Sequence, residues 1–196
     1  MAKTYKISCA GFGGQGVMTM GELITFAGMD EGKEVAWVPS YGPEMRGGTA
    51  NCSVTVSDEP IGSPVFENNI DIVIAMNVPS YLKYVDKVAP GGCLFINSSI
   101  VNEEIKRTDI NVYRVPVNDI ADELGNQKLV NIIMLGAVVE VTKIVSPETI
   151  LGSAFIKLFG EAKKKLIPAN TVALGKGAES VKDQIQIGRA SCRERV

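Results

Sequence analysis

The chain has 196 residues, of which 45% are hydrophobic and 21% are charged, and its formal net charge is −2 at pH 7. This length and balance suit one folded domain with a sizeable core and exclude a disordered chain. The charge gives no case for nucleic-acid binding, and no apolar run approaches the length of a membrane span. Because the first residues lack the apolar core of a signal peptide, we expect a cytoplasmic protein.

The residue types also limit the chemistry of the chain. It contains no histidine, which excludes a Ser-His-Asp triad, a Cys-His pair and a histidine-ligated metal. Its four cysteines show no CxxC spacing, so we expect reduced, mostly buried thiols rather than a zinc or iron–sulfur site. If the chain works in an enzyme, a cofactor or another subunit supplies the hard chemistry.

The chain begins with a predicted strand, a glycine-rich turn and a helix. Tyr5 to Cys9 has the composition of a first strand, and the stretch Cys9 to Gly16 reads CAGFGGQG. Apolar residues then recur at helical spacing from Gly16 to Met29. Such a turn leaves backbone N–H groups free at a helix N-terminus, where a phosphate can bind.

The spacing of Gly11, Gly13 and Gly16 matches the G-x-G-x-x-G pattern of dinucleotide-binding folds. That fold places an acidic residue at the end of the second strand to bind a ribose hydroxyl. The predicted second strand, Glu34 to Val38, has no carboxylate at its end, so a nicotinamide or flavin cofactor is not supported. The alternative is a glycine turn that serves only close strand–helix packing.

A long loop follows this strand, from Pro39 to Thr49, and contains two prolines and three glycines. Loops of this length and polarity at the carboxyl end of a strand are more often functional than plain connectors. Arg46 could hold a phosphate or a partner carboxylate, or it could pair with Glu44 in its own loop. Tyr41 could line a ligand pocket or an interface, or it could be a core tyrosine.

The rest of the chain continues the α/β pattern. Further strands are predicted at Ala50–Ser57, Asp71–Met76, Cys93–Asn97 and Asn111–Val115, with a short edge segment at Ile61–Val65 and a turn at Ala89–Gly92. Helices are predicted at Val78–Asp86, Pro116–Leu124, Asn131–Lys143, Ser146–Phe159 and, as a helical end, Glu161–Lys182. Asn77 stands at the carboxyl end of a strand, where it could contact a ligand or only cap the next helix.

These elements predict an α/β fold: a doubly wound, Rossmann-like single domain with a mostly parallel sheet and helices on both faces. We place this domain at residues 1–186. Residues 187–196, IGRASCRERV, break with the preceding composition and match translated sequencing-adapter DNA. We therefore expect them to be a non-native tail.

Four segments together resemble the gamma subunit of 2-oxoacid:ferredoxin oxidoreductases. They are GFGGQGV at Gly11–Val17, SYGPEMRGGTANC at Ser40–Cys52, SDEPIGSP at Ser57–Pro64 and DIVIAMN at Asp71–Asn77. The second is long and quite specific, and the likeness extends over nearly all of residues 3–185. Within the family, which includes the pyruvate/ketoisovalerate enzymes, the sequence is most similar to the 2-oxoglutarate and branched-chain 2-oxoacid types.

The resemblance implies the oxidative decarboxylation of a 2-oxoacid to an acyl-coenzyme A, with reduction of ferredoxin. It also implies that thiamine diphosphate, Mg²⁺ and the iron–sulfur clusters belong to partner subunits, named alpha, beta and in some enzymes delta. This chain would then help to bind coenzyme A and to assemble the complex, and it would carry no catalytic residue or metal ligand.

The site residues follow from the turn and from the resemblance together. Gly13, Gly14, Gln15 and Gly16 are the expected contacts of the coenzyme A phosphates, and Gly11 belongs to the same turn. Tyr41, Arg46 and Asn77 are the further binding candidates, with the structural alternatives already given. Two other functions stay open: a stand-alone nucleotide-binding module and a purely structural interaction subunit.

Overall fold

A single six-stranded sheet forms the centre of the protein in the computed structural model, which describes residues 3–41 and 49–185. Its order is β2-β3-β1-β4-β5-β6, and β3 is antiparallel to both of its neighbours whereas the pairs β1–β4, β4–β5 and β5–β6 are parallel. Five strands therefore share one direction. The strands are β1 Thr4–Phe12, β2 Glu34–Tyr41, β3 Thr49–Ser57, β4 Ile70–Ala75, β5 Val88–Asn97 and β6 Asn111–Val115.

Helices cover both faces of this sheet. They are α1 Val17–Asp30, α2 Val78–Tyr84, α3 Val117–Glu123, α4 Val130–Thr142, α5 Pro147–Thr149, α6 Phe155–Phe159 and α7 Ile167–Glu179. A π-helical segment, Ile150–Ala154, joins α5 to α6, so the helix predicted from Ser146 to Phe159 is continuous. None of the helices in the described ranges has both the length and the hydrophobicity that a membrane span needs.

Alternating side chains along the strands divide the core between the two faces. On one face, Ile7, Cys9 and Phe95 pack against the larger helical layer formed by α1, α4 and α7. On the other face, Val73 and Leu94 pack against α2 and the segment that follows β5. The predicted doubly wound α/β domain, with a mostly parallel sheet and helices on both faces, is confirmed.

Helix α4 is the most buried helix of the larger layer. Every residue from 130 to 139 is buried, because α1, α3 and α7 all pack against it. The prediction of a helix that is apolar nearly all round is confirmed, and its burial comes from the chain's own helices. Backbone contact with α7 is unusually close: a Cβ on Gly136 would lie 2.0 Å from the Leu174 carbonyl oxygen, and a Cβ on Gly177 would lie 1.8 Å from the Ile133 carbonyl oxygen.

Three local predictions differ from the structure. Strand β2 continues to Tyr41 and β3 begins at Thr49, so both ends of the loop predicted from Pro39 to Thr49 belong to the sheet. Residues 61–65 form no strand, since the described chain from Asp58 to Asn69 lies outside the sheet. Residues 89–92 belong to β5 rather than to a separate turn. The glycines do mark an irregularity, because the β4–β5 register shifts between Ile70 and Ile72 and Gly91 has φ of +77°. The predicted tail at 187–196 lies outside the described residues.

Candidate functional site

The glycine-rich turn joins the end of β1 to the start of α1. The backbone N–H of Gln15 donates to the Phe12 carbonyl at 3.1 Å, which closes the turn. Gly14 has φ of +101°, and Gly16 is left-handed with φ of 71° and ψ of 22°. These two positions need glycine, because L side chains rarely adopt such φ values.

The turn lies where the direction of chain winding reverses. From β1 the chain continues to β2 and β3 on one side, and β4 lies on the other side of β1. In open α/β sheets, ligands bind in the crevice outside the carboxyl ends of the strands at such a switch point. The fold therefore places the turn at the edge where a ligand is expected.

The N-terminus of α1 carries unsatisfied hydrogen-bond donors. Gly16 is the N-cap residue and has no side chain with which to cap the helix. The first hydrogen bond of the helix runs from Met20 N–H to the Gly16 carbonyl at 3.0 Å. Among the described residues, the N–H groups of Val17, Met18 and Thr19 have no hydrogen-bond partner. Free N–H groups and the positive end of the helix dipole together favour an anion.

Gln15 braces the turn. Its Oε1 accepts from Phe12 N–H at 2.7 Å and from Asn77 Nδ2 at 3.2 Å, and its Nε2 donates to the Met76 carbonyl at 3.1 Å. Gly11 lies beneath this side chain, since a Cβ there would be 2.7 Å from Gln15 Oε1. Gln15 therefore holds the turn against the end of β4.

Asn77 is buried and belongs to the same brace. Its Oδ1 accepts from Ser80 N–H at 2.9 Å and so caps α2, while its Nδ2 reaches Gln15. The structure thus brings Gly11, Gln15 and Asn77 together. Their hydrogen bonds connect the turn, the end of β4 and the start of α2 into one unit.

Four other predicted residues have no described part in this brace. Gly13 and Gly14 are exposed at the tip of the turn. The backbone of Tyr41 ends β2 opposite Ala50 of β3, but its side chain lies outside the described structure. Arg46, with Glu44, falls within residues 42–48 and also lies outside it.

An extended row of amide side chains was not foreseen from the sequence. Asn97, at the end of β5, is fully buried, and its Nδ2 donates to Asn118 Oδ1 at 2.8 Å and to the Met76 carbonyl at 3.4 Å. Asn118 in turn donates to Gln127 Oε1 at 3.2 Å. The row follows the carboxyl edge of the sheet away from Gln15. Like Asn77, Asn97 stands at the carboxyl end of a buried strand. This position in the sequence is the feature from which Asn97 could have been predicted as a site residue.

Two cysteines lie behind the turn. Cys9 and Cys52 are opposite each other in the β1–β3 register, and both are buried. Their interaction, together with burial, raises the pKa of the Cys9 thiol well above its ordinary value. Cys52 Sγ donates to the carbonyl of Val17, the first residue of α1. The prediction of buried, reduced thiols is confirmed for both residues.

Replacing Gln15 with leucine tests the brace. The change leaves Phe12 N–H and Asn77 Nδ2 without their acceptor, which should lower the free energy of unfolding by about 1–3 kcal/mol. Denaturant unfolding measures the loss. Gln127→Leu is the matched control, because that amide is exposed and water can replace its hydrogen bonds, so its effect should stay within about 0.5 kcal/mol. Equal stability of the two variants would contradict the brace.

Comparison with known proteins places this geometry in a family. The sequence matches the pyruvate ferredoxin/flavodoxin oxidoreductase family over residues 6–180. It is 35% identical over 181 residues to the ketoisovalerate oxidoreductase subunit VorA of Methanothermobacter thermautotrophicus. That alignment covers 92% of this chain but only 37% of VorA, so the chain spans well under half the length of that relative.

Two solved structures have the same fold. The gamma subunit of a keto/oxoacid ferredoxin oxidoreductase from Geobacter sulfurreducens is 29% identical with a TM-score of 0.73, over 90% of this chain and 97% of that subunit. The 2-oxoglutarate:ferredoxin oxidoreductase from Magnetococcus marinus, solved with 2-oxoglutarate, coenzyme A and succinyl-CoA bound, is 26% identical with a TM-score of 0.82. The alignment covers 92% of this chain and 31% of that one.

The match extends over both halves of the fold, from within the first strand to the end of α7, and it includes the glycine turn, β4 and α4. A solved gamma subunit is also matched over almost its whole length. The resemblance found in the sequence is therefore confirmed: this chain belongs to the pyruvate ferredoxin/flavodoxin oxidoreductase family, as a member of the gamma-subunit type.

Proposed function

We propose that this chain is the gamma subunit of a thiamine diphosphate-dependent 2-oxoacid:ferredoxin oxidoreductase that acts in the cytoplasm. The complex oxidatively decarboxylates a 2-oxoacid, transfers the acyl group to coenzyme A and reduces ferredoxin. Alpha and beta subunits, in some complexes with delta, hold the thiamine diphosphate, Mg²⁺ and iron–sulfur clusters. This chain supports coenzyme A binding and assembly. Its substrate class is a 2-oxoglutarate-like or branched-chain 2-oxoacid.

One observation carries the role in coenzyme A binding: the open N-terminus of α1 at the switch point of the sheet. The free N–H groups of Val17, Met18 and Thr19 suit the oxygen atoms of a phosphate. Gly13, Gly14 and Gly16 allow the ligand to approach the backbone, while Gln15 and Asn77 fix the turn that presents these donors. The coenzyme A bound to the Magnetococcus marinus relative supports the choice of ligand.

Tyr41 and Arg46 complete the proposed site. Both belong to the stretch around the end of β2, and Tyr41 is paired through its backbone with β3 beside β1. A guanidinium is suited to bidentate contact with a phosphate, and an aromatic ring to packing on an adenine. These two contacts remain predictions, as do the domain limits at 1–186 and the non-native tail at 187–196.

A purely structural interaction subunit is the second candidate. The observation that favours it is the brace formed by Gln15 and Asn77. Most hydrogen-bonding groups of these two side chains are bonded to each other or to the backbone, and so are not free for a ligand. A stand-alone nucleotide-binding module is less well supported, since β2 ends in Pro39-Ser40-Tyr41 without a carboxylate for a ribose.

The proposal is tested by anaerobic pull-down of tagged residues 1–186 from the native host. We expect the eluate to contain thiamine- and cluster-binding chains. It should reduce viologen in a coenzyme A-dependent manner with one of four acids: 2-oxoglutarate, 2-oxoisovalerate, pyruvate or indolepyruvate. Host lysate without the tagged chain, passed over the same resin, is the control. A monomer without partners or activity would contradict the proposal.

A further inference from the structure

Asn131 is a buried polar residue that no sequence motif indicated. It lies in the first turn of α4, in a segment otherwise made of apolar residues, and only 8% of its surface is exposed. Its side chain reaches across to the glycine turn. A Cβ on Gly16 would lie 2.7 Å from both Cγ and Nδ2 of Asn131, so the amide fills the space next to the N-cap of α1.

This amide has no hydrogen-bond partner among the described residues. The row of amides that follows Gln15 along the sheet edge does not include it. Among the described residues, the side-chain polar atoms that are fully buried and unpaired are Trp37 Nε1 and Thr55 Oγ1. The polar atoms of Asn131 are not in this group, so they keep some contact with solvent. Buried side-chain polar groups are nearly always paired, and an unpaired one calls for a ligand or a water. The backbone N–H groups beside it, at the start of α1, lack hydrogen-bond partners among the described residues as well.

Of the two polar atoms of this amide, the nitrogen lies nearer to Gly16 in the turn. Nδ2 is among the three atoms nearest to the Gly16 position, whereas Oδ1 is not. An amide nitrogen only donates hydrogen bonds. It therefore adds a side-chain donor to the backbone donors of Val17 and Met18, and all of them require an acceptor.

We propose that Asn131 Nδ2 donates a hydrogen bond to a phosphate oxygen bound at the N-terminus of α1. This inference rests on the proposed function and adds a contact from a different helix. Neither residues 7–32 nor residues 129–142 contain a lysine or arginine. The donors that these two segments offer to the phosphate are therefore neutral N–H groups supported by the helix dipole, and the cationic contact proposed for Arg46 comes from another segment.

Three variants test this contact in the assembled complex, purified through the tagged chain. Asn131→Asp has nearly the same size but places a carboxylate against the phosphate. Asn131→Leu removes the donor without adding charge. Asn126→Asp is the matched control, because it adds the same charge at an exposed cap five residues earlier, where Asn126 Oδ1 accepts from Lys128 N–H.

Calorimetric titration with coenzyme A should show Kd raised at least tenfold by Asn131→Asp, raised severalfold by Asn131→Leu and changed less than twofold by Asn126→Asp. The KM for the 2-oxoacid should be unchanged in all three, which a merely structural defect would not achieve. If the Asn131→Asp complex fails to assemble, the coenzyme A affinity of Asn131→Leu decides the test.

Wild-type affinity for coenzyme A in the Asn131 variants, or an equal loss of affinity in Asn126→Asp, would overturn this inference and leave the proposed function intact. Absence of coenzyme A binding by the wild-type complex would overturn the proposed function itself.

Discussion

Replacing Gly136 with alanine is expected to destabilise the protein, because the added methyl group has no space between helices α4 and α7. The new Cβ would lie 2.0 Å from the backbone carbonyl oxygen of Leu174, and no side-chain rotation can relieve that contact. Helices α4 and α7 would have to separate along a buried interface. Overpacking of this kind costs about 3 kcal/mol. Alanine's higher helix propensity returns about 1 kcal/mol, so we expect a net loss of about 2 kcal/mol.

Gly175→Ala is the matched control for this prediction. Gly175 also lies inside a helix, α7, but it is exposed and a Cβ there meets nothing within 4 Å. The propensity gain is then unopposed, and stability should rise by about 0.5–1 kcal/mol. Thermal unfolding should place Gly136→Ala roughly 4–8 °C below the wild type and Gly175→Ala roughly 1–4 °C above it. Gly177→Ala should behave like Gly136→Ala, and wild-type stability of either would contradict the close helix contact.

A bulky residue at Gly14 is expected to weaken coenzyme A binding while leaving the fold in place. Gly14 has φ of +101°, so any side chain there strains the backbone, at a cost of about 1–2 kcal/mol. A Cβ at Gly14 nevertheless meets nothing within 4 Å, which means that it points into open space outside the turn. A phenylalanine would occupy the space through which, in the proposed function, a phosphate approaches the start of α1.

Gly14→Ala separates the two effects, because it carries the same backbone strain without the bulk. In the assembled complex, we expect Gly14→Phe to raise the KM for coenzyme A more than tenfold above that of Gly14→Ala, with the KM for the 2-oxoacid unchanged in both. Steady-state kinetics at saturating 2-oxoacid measure this ratio. Loss of assembly in both variants would support the structural-subunit alternative. Equal KM values for coenzyme A in an assembled complex would show that coenzyme A does not bind at this turn.

Local patterns in the sequence were sufficient for much of the fold. The turn from Cys9 to Gly16 is flanked by a strand and a helix whose periodicities are visible over a few residues, and both elements are present. The same holds for β4 and for α4, whose apolar composition indicated burial. Predictions based on glycine and proline alone were less reliable: residues 89–92 continue a strand through an irregular register.

The parts that could not be predicted depend on contacts between distant segments. Asn131 lies 115 positions after Gly16, and nothing in its apolar surroundings shows that it touches the turn. The pairing of Gln15 with Asn77 likewise requires that β1 and β4 be neighbours. The sequence indicated Gln15 as a ligand contact and Asn77 as a ligand contact or a helix cap, whereas the structure joins the two side chains as a support for the donors at the start of α1.

The most direct test of the account is a structure of the complete complex, captured through this chain and saturated with coenzyme A. We predict a phosphate oxygen about 2.7–3.2 Å from the backbone nitrogen of Val17 or Met18, with Asn131 Nδ2 at a similar distance. A coenzyme A molecule whose phosphates contact only other subunits, with α1 facing solvent or a partner side chain, would contradict it.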